Sequence, residues 1–129
     1  MAEYENNAYF WQKLDTLYFS SGVMPARKKG ERHPEFANLI YPVDYGHLKD
    51  TNGQADGVSV YLGSKSHYMI TGLIVAADIL KKTLDIKILA GCTEEEEKEV
   101  LHFLNQTDFQ KTVLIRRGSV IPAWGESDS

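Results

Sequence analysis

The 129-residue sequence has one cysteine, no excess of basic charge and no long apolar run. A single cysteine, Cys92, cannot form an internal disulfide, so nothing requires an oxidising compartment. The net charge of −4 argues against a general nucleic-acid-binding protein, whose surface is usually strongly basic. No apolar stretch approaches the length of a membrane span, and the N-terminus is acidic and polar where a signal peptide would be basic and then apolar. These absences predict a cytoplasmic protein that binds neither nucleic acid nor membrane.

Length and composition are those of one ordinary globular domain. Apolar residues make up 43% and charged residues 25% of the chain, as in typical soluble domains. A chain of 129 residues can bury one hydrophobic core. We therefore expect a single domain over residues 1–129, with an N-terminal helix at about 7–20, a main body at about 23–117 and a C-terminal tail at about 118–129.

Two segments have the pattern of helices. In residues 7–20, three apolar residues recur at helical spacing, namely Phe10, Leu14 and Leu17. In the later segment GCTEEEEKEVLHFLNQ, Thr93 and Glu96 match a capping box, and four Glu residues occupy the first turn, where the helix dipole favours negative charge. A metal-binding cluster is the alternative for these acids, but capping and the dipole account for all of them. Cys92 is either a thiol with a lowered pKa beside this helix start or a small buried residue.

Four segments have the pattern of strands. Apolar and β-branched residues alternate or cluster in 58–62, 67–77, 83–89 and 111–117. The first of them follows a polar loop, which itself follows an apolar run that starts at Leu39. Short, evenly spaced strands with one late helix predict a mainly β fold with flanking helices, specifically a small closed or partly closed β-barrel of the OB type over about 23–117. A flat α+β sheet is the competing architecture.

A basic patch at residues 24–34 is the first candidate site. It contains Arg27, Lys29 and His33 close to Gly30. Basic side chains clustered near a glycine turn suit an anion such as phosphate. The alternative is solvated surface, which is the commoner outcome for a charge cluster.

Acidic residues around the later strands form the second candidate site. Asp85 and Lys87 project from one face of their strand, because residues two apart share a face, and Asp78 ends the preceding strand. The alternative is a solvent-exposed ion pair worth at most about 1 kcal/mol. Asp56 lies in the polar loop before the first strand, where it is either a ligand for a hard cation such as magnesium or a turn residue of an Asp-Gly pair.

The order of these motifs resembles the soluble (family I) inorganic pyrophosphatases, and in particular a short divergent branch of pyrophosphatase-like proteins. The resemblance rests on motifs that follow one another along roughly residues 10–117: FWQ at 10–12, RKKG at 27–30, HP at 33–34, PVDYG at 42–46, an acid-and-glycine loop, Asp78, DIKIL at 85–89 and GCT at 91–93. It implies an OB-like β-barrel of the inorganic pyrophosphatase type, magnesium as the cofactor and hydrolysis of pyrophosphate to two phosphates.

The resemblance also implies roles for individual residues. Tyr45 matches a tyrosine that hydrogen-bonds a phosphate, and Asp56 matches an aspartate that helps to activate the attacking water. Asp56, Asp78 and Asp85 would hold the metal, and Asp56 and Tyr45 would be the catalytic residues.

Phosphate binding is implied for a second set of residues. Lys87 matches the phosphate-binding lysine, and Tyr45 shares that task. Arg27 and Lys29 fall near the basic phosphate contacts of the family.

The sequence departs from the family at two metal positions. Counting from Asp56, the first position of the family's aspartate triplet is Gln54 and the third is Ser59. Ala26 replaces a further acid of the branch. Metal-assisted hydrolysis needs ions to activate water and to neutralise the leaving phosphate, so neutral residues here weaken magnesium binding.

Two hypotheses about function follow. The first is a metal-dependent hydrolase of pyrophosphate or a related phosphoanhydride with a partly degraded metal site. The second is a non-catalytic module on the same barrel that binds a phosphorylated small molecule or a protein partner. Assembly into a homo-oligomer stays open.

Overall fold

The computed structural model describes residues 8–36, 38–52, 57–66 and 69–117. These residues form two helices and six strands, which are, in chain order, α1 (Ala8–Ser21), β1 (Val23–Arg27), β2 (Asp44–Leu48), β3 (Ser59–Leu62), β4 (Ile70–Asp78), β5 (Thr83–Ala90), α2 (Glu94–Leu104) and β6 (Gln110–Arg116). Both helices begin and end close to the segments that their patterns predicted. Strands β1 and β2 were not predicted: β1 overlaps the basic patch, and β2 lies in the segment between the apolar run at Leu39 and the polar loop. Neither helix is long and apolar enough to cross a membrane.

The strands form one sheet in the order β1-β2-β3-β5-β4-β6. Neighbouring strands are antiparallel except for β3 and β5, which are parallel. The expected closed barrel is wrong: within the described ranges no ladder joins β1 to β6, so the sheet is open. Closure requires the first and last strands to pair. The edge strand β1 instead contains Pro25 and a register shift beside it, features that are tolerated at an edge and end pairing there.

Two apolar clusters cover the two faces of the sheet. The cluster under α1 includes Trp11, Tyr18, Val60, Leu73 and Ile88. The cluster under α2 includes Tyr61, Ile74, Leu89, Val100 and Phe103. Because strand side chains alternate between faces, adjacent residues such as Ile88 and Leu89 enter different clusters. The mainly β fold with flanking helices is therefore confirmed, but the sheet is open with a helix on each face, as in the competing α+β architecture.

Helix α2 begins with a capping box, and its Glu96 also hydrogen-bonds the segment that follows β3. The Glu96 N–H donates to Thr93 Oγ1 at 3.1 Å, and the Glu96 carboxylate accepts from the Thr93 N–H at 2.9 Å and from the Ser64 N–H at 3.1 Å. Glu97 is buried and accepts from Arg116 Nε of β6 at 2.9 Å. The helix-start interpretation of the Glu run is confirmed, since these acids cap the helix and join it to the sheet.

Replacement of Glu96 by alanine is expected to lower the free energy of unfolding by about 1–2 kcal/mol, because the N–H groups of Thr93 and Ser64 lose their acceptor. Burial raises the pKa of Glu96, but the hydrogen bonds from Thr93 and Ser64 outweigh it and lower that pKa. A lowered carboxyl pKa stabilises the fold above the unfolded value of about 4.3 and ceases to do so as pH falls through the folded value.

Urea unfolding of the Glu96→Ala protein at pH 7 and at pH 3 measures both effects. The exposed neighbour Glu95 supplies the control, and Glu95→Ala should change stability by less than about 0.5 kcal/mol. A difference from wild type that stays constant across this pH range would contradict the role of the ionised carboxylate.

Cys92 is the small buried residue of the two interpretations. Its Sγ lies 3.8 Å from the carbonyl oxygens of Tyr61 and Ala90. Burial raises its pKa to about 12, and the charges of Glu96 and Glu97 add to the effect.

We expect the native protein to resist an aromatic disulfide reagent at pH 8, and the same protein in urea to react rapidly. Fast reaction without denaturant would show that the thiol is accessible.

Candidate phosphate-binding site

A cavity of about 190 Å³ lies on the α2 face of the sheet. Three predicted site residues line it, namely Tyr45 of β2, Asp78 at the end of β4 and Lys87 of β5. His33, from the loop between β1 and β2, and Lys81, from the β4–β5 turn, complete its polar lining together with threonine and glutamine side chains. The structure therefore brings residues separated by more than forty positions to one small space.

Strand register explains how the polar side chains meet. His47, Ser59 and Lys87 are successive cross-strand partners on β2, β3 and β5, so their side chains share a face. The Tyr45 hydroxyl lies 2.9 Å from Ser59 Oγ and 3.3 Å from His47 Nε2. Ser59, which stands where the pyrophosphatase resemblance expects an acid, thus holds the tyrosine ring in place at the cavity wall.

The ion pair between Asp85 and Lys87 is nearly buried. Lys87 Nζ lies 3.1 Å from Asp85 Oδ2, and the two side chains are only 10% and 11% exposed respectively. The other face of the same strand carries Leu84 and Ile86, which are 76% and 52% exposed. The alternative of a solvent-exposed ion pair is therefore wrong, because α2 and the β1–β2 loop pack on the polar face of the β4–β5 hairpin.

Asp78 has a structural contact as well as a place in the cavity. Its Oδ1 accepts hydrogen bonds from the Leu80 N–H at 2.9 Å and the Lys81 N–H at 2.8 Å, which stabilises the β4–β5 turn. Asp78 pairs with Thr83 in the ladder, so Asp85 is its diagonal neighbour on the same face, at about 7–8 Å between their backbones.

Arg27 and Lys29 do not line this cavity. Asp56 and Gln54 fall outside the described residues. Arg27 is exposed, and its guanidinium is 4.0 Å from Glu31. Lys29 lines a separate groove of about 580 Å³ beside α2. The basic patch thus does not converge on the cavity as one unit.

His33, a member of the basic patch, also lines the cavity. Its Nδ1 accepts from the N–H groups of Glu35 at 3.0 Å and Phe36 at 3.3 Å, so in this neutral ring the proton is on Nε2. Burial lowers the pKa of His33; the charge of Glu35 opposes this, and Lys81 and Arg27 reinforce it. Although His33 belongs to the basic patch, its ring is favoured in the neutral form, because it is partly buried and its Nδ1 accepts two backbone N–H groups. Its position before Pro34, in a short turn, was the available signal.

We expect stability to depend on His33 protonation between about pH 7 and 5. Because its folded pKa is below the unfolded value of about 6.5, the unfolded state binds more protons in this window, and stability falls as pH falls. His33→Asn keeps a side-chain acceptor for the turn but does not titrate. Thermal unfolding across this range should give a flatter Tm profile for the variant, and parallel profiles would contradict the assignment.

The described residues do not fit a magnesium site of the predicted kind. Within them, no group of three His, Cys, Asp or Glu residues is placed to hold a metal ion. Asp78 is engaged in its turn, and Asp85 is paired with Lys87. Magnesium requires several oxygen ligands in near-octahedral geometry. Both carboxylates are therefore engaged by neighbouring groups of the protein.

Comparison with known proteins adds the identity of the fold. No protein-family model matches the chain, and a search of curated proteins finds no match. Among solved structures, an inorganic pyrophosphatase from Coxiella burnetii matches with a TM-score of 0.50 and 15% sequence identity, over 79% of this chain and 88% of that chain. The fold is pyrophosphatase-like. This likeness agrees with the resemblance found in the sequence motifs, and at such low identity it establishes the fold alone.

Proposed function

We propose that this protein binds a small phosphate-bearing ligand in the cavity around Lys87. The observation that carries the proposal is a nearly buried ammonium in the wall of a small cavity. An ammonium has three N–H donors, and its contact with Asp85 uses one of them. A phosphate oxygen is a strong acceptor for a charged donor, and partial burial strengthens that contact.

Size and neutral donors also support a small anion. The cavity is smaller than the roughly 300–1,000 Å³ of pockets that enclose drug-sized ligands. Tyr45 and Thr83 add hydroxyl groups to its lining, and Gln110 adds an amide. Lys81 is more than half exposed and pairs with Glu35 at 3.6 Å, so we expect it to contribute little.

Binding without hydrolysis is the function that this geometry supports best. Metal-assisted hydrolysis needs carboxylates that are available to hold ions. Around this cavity, Asp78 stabilises a turn, Asp85 accepts one N–H of Lys87, and Ser59 stands where the resemblance expects an acid and bonds to Tyr45. Each of these groups has a structural partner in place of a metal.

Metal-dependent hydrolysis of pyrophosphate or a related phosphoanhydride is the second candidate. It is favoured by one observation, that Asp78 and Asp85 share a face with Tyr45 and Lys87 on a pyrophosphatase-like fold. Magnesium would be its cofactor, and Asp56, outside the described residues, would be a further ligand.

Calorimetry with inorganic phosphate and with pyrophosphate tests the binding proposal. The double variant Lys87→Met/Asp85→Asn removes both charges of the pair together, so no charge is left unpaired. Loss of the charged donor is expected to weaken binding roughly tenfold to a hundredfold. Lys29→Met, in the separate groove, should bind like wild type. The absence of heat with both anions, or equal affinity of wild type and the double variant, would refute the proposal.

Phosphate release separates the two candidates. The assay uses pyrophosphate with magnesium or manganese at micromolar protein, and Asp85→Asn is the control. Binding without release above the control is expected. Release that exceeds the Asp85→Asn background would establish the hydrolase in place of the binding module.

A further inference from the structure

The phosphate cavity has an aromatic wall. Its lining includes the rings of His33, Phe36, Tyr41, Tyr45, Phe103 and Phe109. Tyr41 connects several of them: its ring centroid lies 4.8 Å from that of Phe103, 5.5 Å from that of Tyr45 and 6.0 Å from that of His33. The Tyr41 and His33 rings are nearly parallel, at 6°. A cluster of aromatic rings thus lies beside the charged group.

The charged group of the cavity is more deeply buried than two of its aromatic rings. Lys87 is nearly buried, whereas Phe36 is 38% exposed and Phe109 is 41% exposed. Phe36 lies on the β1–β2 loop, 5.2 Å from the His33 ring, and Phe109 lies just before β6. The cation is therefore at the floor of the cavity, and two accessible phenyl rings are at its mouth.

Pyrophosphate and inorganic phosphate would leave this wall unused. They have no apolar surface, so the exposed rings at the mouth gain nothing from contact with them. Ligand pockets commonly combine aromatic side chains with a few polar groups that fix orientation. Exposed apolar surface with a polar rim also indicates a binding site.

We propose that the ligand is a phosphate ester that carries a planar aromatic group, such as a nucleoside phosphate. Its phosphate contacts Lys87 at the floor, and its ring packs against Phe36 and Phe109 at the mouth. The volume of about 190 Å³ admits the phosphate end and leaves the ring outside the cavity, where the two phenyl rings are exposed. This inference rests on the proposed function, because it assigns the remainder of the ligand whose phosphate occupies the site.

A ligand series tests the inference by calorimetry on the full chain. The probes are inorganic phosphate, ribose 5-phosphate, adenosine 5′-monophosphate and phenyl phosphate. We expect adenosine 5′-monophosphate to bind roughly five- to a hundredfold more tightly than ribose 5-phosphate, which is the gain that one stacked ring provides. Phenyl phosphate that also exceeds ribose 5-phosphate would support the aromatic contact and show that a simple ring suffices.

Variants at the mouth provide the second arm. Phe36→Leu and Phe109→Leu should each weaken nucleotide binding several-fold and leave the affinity for inorganic phosphate unchanged. Phe19→Leu, an exposed aromatic of α1 on the other face of the sheet, is the matched control and should change neither.

The two proposals fail differently. If inorganic phosphate binds but ribose 5-phosphate and adenosine 5′-monophosphate bind equally, the aromatic ligand is refuted and the phosphate site stands. If Phe36→Leu and Phe109→Leu weaken inorganic phosphate as strongly as the nucleotide, the aromatic contact is likewise refuted. If none of the phosphate compounds binds, the proposed function fails and the inference fails with it.

Discussion

Replacement of Lys87 by methionine is expected to lower the free energy of unfolding by about 3–5 kcal/mol. The change leaves the Asp85 carboxylate without its partner at a position where the side chain is nearly buried. An unpaired carboxylate in such a place keeps the cost of leaving water and loses the compensating attraction. Urea unfolding monitored by circular dichroism measures the loss.

A double-mutant cycle identifies the cause. Adding Asp85→Asn to Lys87→Met should recover most of the lost stability, since no charge then remains unpaired. Lys81→Met is the control, because Lys81 pairs with Glu35 at 3.6 Å and both side chains are more than half exposed; its cost should be below about 1 kcal/mol. A Lys87→Met protein no less stable than the Lys81→Met protein would show that the Asp85 pair is effectively solvated.

Replacement of Asp15 by alanine is expected to cost a similar amount, about 3–5 kcal/mol. Arg117 donates from Nη1 and Nη2 to the two oxygens of Asp15, each at 2.9 Å, and both side chains are largely buried. The guanidinium also lies 5.6 Å from the Trp11 ring centroid and donates to the Ile70 carbonyl oxygen at 3.3 Å. The ion pair links α1 to Arg117, the residue directly after β6. Its loss leaves the buried Arg117 cation unpaired and removes a contact that holds α1 against the sheet.

Thermal and urea unfolding of Asp15→Ala measure this effect, and Asp15→Asn tests the charge alone at almost constant volume. The exposed pair of Arg27 and Glu31, at 4.0 Å, gives the comparison, and Glu31→Gln should cost less than about 1 kcal/mol. Equal, small losses for Asp15→Asn and Glu31→Gln would mean that the bidentate pair contributes no more than a surface contact.

The candidate site shows how far sequence reasoning reached. Tyr45, Asp78 and Lys87 were selected from a motif resemblance, and the structure places all three around one cavity. The tautomer of His33 could not be predicted, because the two N–H groups that donate to its ring come from a turn that sequence spacing does not show. The aromatic wall was missed, because its rings come from segments distant in sequence.

The sequence by itself determined features that depend on residues close together in the chain. The capping box at Thr93 and Glu96 depends on residues three apart, so its pattern could be recognised without a fold. The alternation of β5 likewise defined two faces, since adjacent strand residues point in opposite directions.

Only the tertiary structure decided which face of β5 is buried. Leu84 and Ile86 are exposed, while Asp85 and Lys87 are nearly buried. This is the reverse of the usual arrangement, in which the apolar face of a strand is buried, and it places Lys87 in the cavity wall. The physical reason is that burial depends on what packs against a strand, and here α2 and the β1–β2 loop lie on the polar side. The sequence likewise did not determine whether the sheet closes into a barrel. Closure depends on which strands pair, and the number and spacing of strands carry no information about a long-range pairing such as that of β3 with β5.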